Sequence, residues 1–397
     1  MERKILMMKE DGYTWTYFQE NGEIVEIHCH QPDTEKQTAP VLGNIYIGKV
    51  QNIASNIGAA FIDIGGINCY YDMSQAEHAI FTNKIGKKPL CIGDELVVQI
   101  SREAVKTKAP TVSSNLNFTG RYAVLTSGNT RIGVSSKLPK ATREEYKKRL
   151  NDFANEEYGI ILRTNAKSVP FHTVLEEIRQ LQSRYEQLKK RAVYNTCFSC
   201  LESAPQAYLT DLKNVYTDGL TEIVVEGKEL YTKVQEYLKS ELPEHSEKLR
   251  LYEDSMLSLA NLYNLHTVRE RAMNERVWLK HGGYLVIQPT EALTVVDVNS
   301  GKCVSKKKTD DAYLKLNLEA ADEIAKQLRL RNISGIILVD FVNMDSGEDM
   351  QQLLKDMRVK CAQDPVQTTV VDVTELQLVE LTRKKVRKPL YECWREK

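Results

Sequence analysis

The sequence predicts a multidomain chain of the α+β class, and three observations carry that prediction. Its 397 residues, 42% of them hydrophobic, can bury more than one core, and length alone suggests roughly two to four domains. Between Val41 and Ser113, short β-branched runs alternate with glycines. Between Leu293 and Val342, two apolar runs flank a long amphipathic stretch, which reads as strand–helix–strand.

The elements follow in order. Ile5 to His30 alternates in strand fashion around a turn at Glu20-Asn21-Gly22, and a polar connector runs from Gln31 to Pro40. His28-Cys29-His30 reads as part of a surface strand with two imidazoles on one face. The runs Gly43–Val50, Gly58–Gly65 and Asp94–Ile100 suit a small Greek-key barrel of the OB type. Such a barrel binds nucleic acid through exposed aromatic and basic residues, for which Phe61, Tyr70, Tyr71 and Lys49 are available. The plainer reading is that each of these aromatics belongs to the core. Tyr122–Leu125 and Gly159–Asn165 read as strands, and the capping box Thr142-Arg143-Glu144-Glu145 opens a helix to about Ala154. A longer helix spans Thr173 to Ala192, with Leu175, Ile178, Leu181, Tyr185 and Leu188 on one face. Gln206 to Met256 forms another α/β unit. Leu314 to Arg331 is helical, with a stripe of Leu314, Leu318, Ala321, Ile324, Ala325 and Leu328.

The two apolar runs are the most informative. Leu293-Thr294-Val295-Val296-Asp297-Val298-Asn299 and Gly335-Ile336-Ile337-Leu338-Val339-Asp340 each reach an aspartate near the end of what reads as a buried strand. A buried carboxylate is costly unless it is paired, hydrogen-bonded or bound to a metal. Alternation puts Asp297 and Asn299 on one face, and the following loop brings Lys302. The strand–helix–strand order can bring both carboxyl ends together, as a magnesium site for phosphate chemistry requires. The plainer alternative is that each aspartate caps a helix or pairs with an arginine.

Composition excludes several classes. No apolar run of spanning length exists, so no membrane association is expected, and the start Met1-Glu2-Arg3-Lys4-Ile5 has no signal-like stretch, which favours a cytoplasmic protein. Net charge is zero, so the total gives no argument for a polyanion partner. Eight scattered cysteines suit free thiols in a reducing compartment, and Cys197/Cys200 have CxxC spacing without a second pair. No P-loop or dinucleotide fingerprint is present, which weakens a small-molecule phosphate enzyme as a rival reading.

Taken together, the strings EALTVVDVNSGK, NLEAADEIAKQLRLRNISG and IILVDFVNM resemble the hallmark of the ribonuclease E/G family. The resemblance extends over nearly the whole chain and implies a modular plan. An RNase H-like subdomain would be split between 1–38 and 209–272, with an S1 (OB-fold) RNA-binding domain at 39–115. A 5′-sensor region would cover 116–208 and a DNase I-like catalytic α/β domain 273–397. It implies Asp297 and Asp340 as Mg²⁺ ligands and Asn299 as a catalytic asparagine. Phe61, Tyr71 and Lys108 would contact RNA from the S1 side, joined by Lys302 near the site. Arg163 and Thr164 would grip a 5′-monophosphate, with Gly120 and Val124 as backbone contributors, while Gln367 stands where some members carry a supporting arginine. The implied activity is Mg²⁺-dependent cleavage of single-stranded A/U-rich RNA, giving 5′-phosphate and 3′-hydroxyl ends, in rRNA and tRNA processing and mRNA decay. An S1-type RNA-binding protein with weak or no catalysis is the alternative.

Thr382 to Tyr391 resembles the run that leads to the family's zinc-binding CPxCxG segment, but the sequence continues Glu392-Cys393-Trp394-Arg395-Glu396-Lys397. One cysteine cannot supply a shared four-thiolate site, so no zinc and a short ribonuclease G-like form without the zinc-link and small domain are expected. A homodimer would then form through ordinary surfaces of the catalytic domain.

Overall fold

The computed structural model describes residues 2–30, 41–84, 89–102, 104, 109–153, 155–214, 219–301, 310–344 and 346–395. The chain divides into two compact units, Met1–Pro32 with Gly219–Lys397, and Asp33–Asp218. The connector expected from Gln31 to Pro40 lies outside the described residues. Secondary structure is mixed α and β throughout.

The first unit contains two sheets. Strands Arg3–Glu10, Tyr13–Glu20 and Glu23–His30 form an antiparallel meander. Both of its turns hold two residues with positive φ: Asp11 (51°) with Gly12 (83°), and Asn21 (48°) with Gly22 (89°). That is the mirror-image turn whose twist matches the flanking strands, and Asp-Gly and Asn-Gly adopt it most readily. Leu220–Glu226 pairs in parallel with the first strand and Leu249–Tyr252 with it in turn, completing five strands.

The strand ending in His28-Cys29-His30 is not a free surface strand. Helices Asp310–Leu330 and Leu390–Arg395 pack on it, and His28 is buried. Glu26 Oε1 lies 2.6 Å from His28 Nε2, Arg329 Nε lies 3.3 Å from Glu26 Oε2, and the Arg387 guanidinium contacts the same imidazole. Burial pushes the Glu26 carboxyl up, but His28, Arg387 and Arg329 outweigh it and hold it at about 2 against an ordinary 4.5. A depressed folded-state value means stabilisation that is complete above the unfolded value and is lost as pH falls through the folded one. Glu26→Gln is therefore expected to lower stability at neutral pH and to flatten its decline between about pH 4.5 and 2. Urea midpoints measured across that range check this, and an unchanged slope would refute it.

The second sheet has six strands in the order Arg276–Trp278, Tyr284–Pro289, Leu293–Asn299, Gly335–Asp340, Val379–Arg383, Thr368–Val373. Only the central pair is parallel. Helix Asp310–Leu330 makes the crossover between that pair, beginning earlier than the expected Leu314. Its Leu316, Ala320, Ile324 and Leu328 pack with Leu353 and Met357 of helix Gly347–Ala362 against Ile287, Val296, Val298, Ile337 and Val339. This core lies on one face of the sheet.

In the second unit, strands Ile45–Ala54, Ala59–Asp63, Asn68–Asp72, Thr111–Ser113 and Glu95–Arg102 close into a barrel, since the first pairs with the last. This closed five-stranded barrel is consistent with the OB-type expectation. Its wall passes so close at Gly48 that a Cβ there would lie 2.4 Å from Ile62 Cγ2. Strand Cys200–Glu202 extends the barrel at Ile45–Ala54, and the thiols of Cys197 and Cys200 are free. A four-stranded sheet, Ile132–Val134, Tyr158–Leu162, Ala123–Ser127 and Asn117–Thr119, packs against helix Phe171–Ala192 through Val174, Ile178, Leu181, Tyr185 and Leu188.

One local expectation fails here. Helix Lys140–Leu150 starts ahead of Thr142, with Pro139 at its N-cap and no side-chain cap bond, so the capping-box reading is wrong. The proline's fixed φ already favours the helical entry, which leaves Thr142 inside the first turn. Among the described residues, no helix is long and apolar enough to cross a membrane.

Candidate active site

Asp297 and Asp340 are register partners at the carboxyl ends of the two parallel strands. Adjacent strands lie ~4.8 Å apart, so the two carboxylates are lateral neighbours on one face. The strands are not buried on both sides, as their composition suggested. Val296, Val298, Ile337 and Val339 are buried on the core face, whereas Asp297 and Asp340 are exposed on the other. The desolvation argument from sequence therefore does not apply, and the carboxylates instead stand open to a ligand. Among the described residues neither forms an ion pair with an arginine or lysine, and neither caps a helix.

Asn299 donates from Nδ2 to Asp297 Oδ2 at 2.7 Å, which fixes that carboxylate's orientation. The turn beyond Asn299 is held by close glycine packing. Gly301 has φ +53°, and a Cβ on it would lie 2.5 Å from the Gly282 carbonyl oxygen. A Cβ on Gly283 would lie 2.9 Å from the Asn299 carbonyl oxygen. On the other strand, buried Asn317 of the crossover helix donates to Val342 O at 2.8 Å and accepts from Val342 N at 3.1 Å. That pair of bonds anchors the chain two residues beyond Asp340. Sequence reasoning missed Asn317, although a polar residue in an apolar helical stripe is a readable signal. Lys302 and Lys108 lie outside the described residues.

The donor set is two carboxylates and an amide, all hard oxygen-bearing groups with room for water. It fits Mg²⁺ or a similar divalent ion, which favours oxygen ligands and retains several waters.

In the other unit, Arg163 Nη1 donates to Gly120 O at 2.8 Å, and Thr164 Oγ1 lies 2.9 Å from Ser135 Oγ. Gly120 thus holds the arginine through its carbonyl, and its own N–H is taken by Ala123 O at 2.8 Å. Val124 is half-buried within its strand, paired with Ile161 and Thr119. The Glu177 carboxylate accepts from the N–H groups of Arg121, Tyr122 and Ala123, each at 2.8 Å. It shapes the loop that carries Gly120, and a Cβ on Gly120 would collide with Glu177 Oε1.

The pattern of the Ribonuclease E/G family matches residues 117–386, more than half of the chain and including the aspartate strands. The chain belongs to that family. Ribonuclease E of Synechocystis sp. is 33% identical over 365 residues, covering 89% of this chain and 53% of that protein. Ribonuclease G of Salmonella typhimurium is 28% identical over 402 residues, covering 98% of this chain and 81% of its own length. Ribonuclease G of Escherichia coli is 28% identical over 405 residues with the same coverage. This chain therefore spans about half of the ribonuclease E relative and about four-fifths of the ribonuclease G proteins.

One residue assigned by resemblance to the family needs correction. Tyr71 is fully buried in the barrel, where its hydroxyl meets Ser114 Oγ at 2.8 Å and burial pushes the phenol up to about 12. It cannot stack on a base. Its neighbour Tyr70 is register partner to Phe61, and the two rings meet edge-on with centroids 6.5 Å apart on the outer surface. A shift of one residue along a strand exchanges its inner and outer faces, so Tyr70, not Tyr71, is the exposed tyrosine beside the half-buried Phe61.

Proposed function

We propose that this chain hydrolyses single-stranded RNA at the paired aspartates. Membership of the Ribonuclease E/G family makes it an endoribonuclease. The observation that carries the site assignment is the lateral pairing of Asp297 with Asp340 on an exposed sheet face, with Asn299 bonded to the first.

In this reading Asp297 and Asp340 hold Mg²⁺, with Asn299 fixing the orientation of Asp297. The ion, when bound, supplies a Lewis acid for the scissile phosphate and lowers the pKa of an attacking water. Asn317 keeps Asp340 in place from behind, and the Gly282-Gly283/Gly301 contact does the same for Asn299. Products would carry 5′-phosphate and 3′-hydroxyl ends, from A/U-rich substrates such as rRNA and tRNA precursors and mRNA in the cytoplasm. The fold reading that goes with this is an RNase H-like subdomain split between 1–38 and 209–272, an S1 domain at 39–115, a 5′-sensor region at 116–208 and a DNase I-like domain from 273 onward. Phe61 and Tyr70 present an aromatic pair for stacking on the barrel. Any homodimer would form through the DNase I-like domain.

A cleavage assay on a short 5′-monophosphorylated single-stranded RNA, with and without millimolar Mg²⁺, tests the proposal. Metal-dependent internal cleavage supports it. Tight binding without cleavage would favour the RNA-binding alternative. A second assay addresses the sensor. Arg163→Ala is expected to reduce the preference for 5′-monophosphate over 5′-hydroxyl RNA about 10- to 150-fold, since a charge-assisted bond contributes roughly 1.5–3 kcal/mol. Cleavage of a circular RNA should change far less. Equal losses on all substrates would make Arg163 a structural residue that merely braces Gly120.

A further inference from the structure

The exposed face of the six-stranded sheet carries a second cluster beside the aspartates. The register pairs Trp278 with Tyr284 and Tyr284 with Asn299, so these three residues form one row across neighbouring strands. The next row is Arg276, Val286, Asp297 and Asp340. The intervening residues Leu285, Val296 and Val298 are buried on the opposite face, which places both rows on the open side.

Trp278 is 66% exposed, an unusual state for an indole, and it lies on the sheet's edge strand. Its ring centroid is 5.2 Å from that of Tyr284, tilted by 57°. The Arg276 guanidinium lies over both rings, 4.5 Å from the Tyr284 centroid and 5.8 Å from that of Trp278. Tyr284 thus braces the indole from one side while Arg276 adds positive charge. Exposed aromatic faces joined to a cation are the elements with which proteins hold unpaired bases and their phosphates. Trp278 and Asn299 are two strand spacings apart, ~10 Å, within reach of a nucleotide next to one held at the aspartates.

We infer that Trp278, Tyr284 and Arg276 form a stacking subsite for one unpaired base of the RNA flanking the cleaved bond, with Arg276 meeting its phosphate; this rests on the endoribonuclease reading above. Single-stranded RNA is the occupant that the surroundings favour, because the cluster is continuous with the carboxylate row and supplies the charge that a phosphate needs. Stacking one base on an aromatic changes affinity by about 5- to 150-fold.

The test is steady-state cleavage of short single-stranded RNAs by the full chain. Trp278→Ala is expected to raise KM about tenfold with kcat changed less than about twofold, and Trp278→Phe to recover KM to within about threefold. An abasic substitution is then placed in turn at each nucleotide flanking the cleaved bond. At one position it should cost the wild type about as much as Trp278→Ala does, and cost the variant little more. Circular dichroism and thermal unfolding establish that the variants are folded. A KM for Trp278→Ala within twofold of wild type would overturn the inference, as would additive losses at every abasic position. A wild-type chain that fails to cleave RNA at all sinks the endoribonuclease reading and the subsite with it, whereas normal cleavage by Trp278→Ala sinks the subsite alone.

Discussion

Asp297→Asn and Asp340→Asn are each expected to abolish RNA cleavage while leaving the fold intact. Each change removes one of two anionic oxygen groups from a site that also holds the Asn299 amide. Replacing groups that merely orient metal ligands already costs about 10- to 100-fold, so loss of a ligand charge should exceed about 100-fold. Both side chains are exposed on the face away from the core, so isosteric replacement should leave unfolding nearly unchanged. Because phosphate and stacking contacts generally carry the affinity of proteins for single-stranded RNA, binding should fall much less. Single-turnover cleavage at millimolar Mg²⁺, with filter binding alongside, is the measurement. Cleavage by either variant within tenfold of wild type would mean that the reacting atoms lie elsewhere.

The second large effect concerns stability. Arg383 and Asp364 form a buried ion pair, with Nε 2.7 Å and Nη2 3.3 Å from the two carboxylate oxygens. Arg383 also donates from Nη1 to Asn332 Oδ1 at 2.8 Å and to Ile333 O at 3.1 Å. Asn332 in turn donates to the carbonyls of Arg387 and Lys388. Arg383 therefore ties the end of its strand to the loop that leads into the strand of Asp340. Removing one partner of such a pair leaves an uncompensated buried charge, so Arg383→Ala and Asp364→Ala should each cost about 3–5 kcal/mol. Arg383→Met combined with Asp364→Leu should recover much of that loss, because neither charge then remains buried. Shifts in urea midpoint decide the matter, and a cost below about 1 kcal/mol for either single variant would contradict the assignment. Loss of order in this loop should also lower cleavage, since Gly335 and Arg383 are register partners at the start of the second aspartate strand.

Much of this was legible in the sequence where local pattern and tertiary role agree. The strand–helix–strand unit around Asp297 and Asp340 could be read because short β-branched runs and an apolar helical stripe leave little choice. The glycine-punctuated barrel was readable for the same reason. What sequence hid was which face each residue takes. Period-two alternation leaves Tyr70 and Tyr71 equally eligible, and only the pairing with Phe61 settles that Tyr70 faces outward. The aspartates were expected in buried strands, yet all the helices of their sheet's core pack on the opposite face. His28 is buried because residues distant in sequence come to its strand, Arg387 to the imidazole and Arg329 to Glu26, and no local pattern encodes that meeting. The strand Arg276–Trp278 is too short to announce itself, so Trp278 gained significance only from its neighbours.

The split of the first unit has a consequence for how the chain is made. Strand Arg3–Glu10 finds its parallel neighbour in Leu220–Glu226, which follows the whole second unit in sequence. At ~5–20 residues per second, the ribosome takes about 10–40 s to deliver that partner. During this interval the amino-terminal meander has one unsatisfied edge rich in apolar side chains, open to pairing with another nascent chain. Meanwhile the inserted unit holds all five strands of its own barrel and can complete it. A chaperone that shields strand edges during this interval is therefore expected to raise the yield of folded protein.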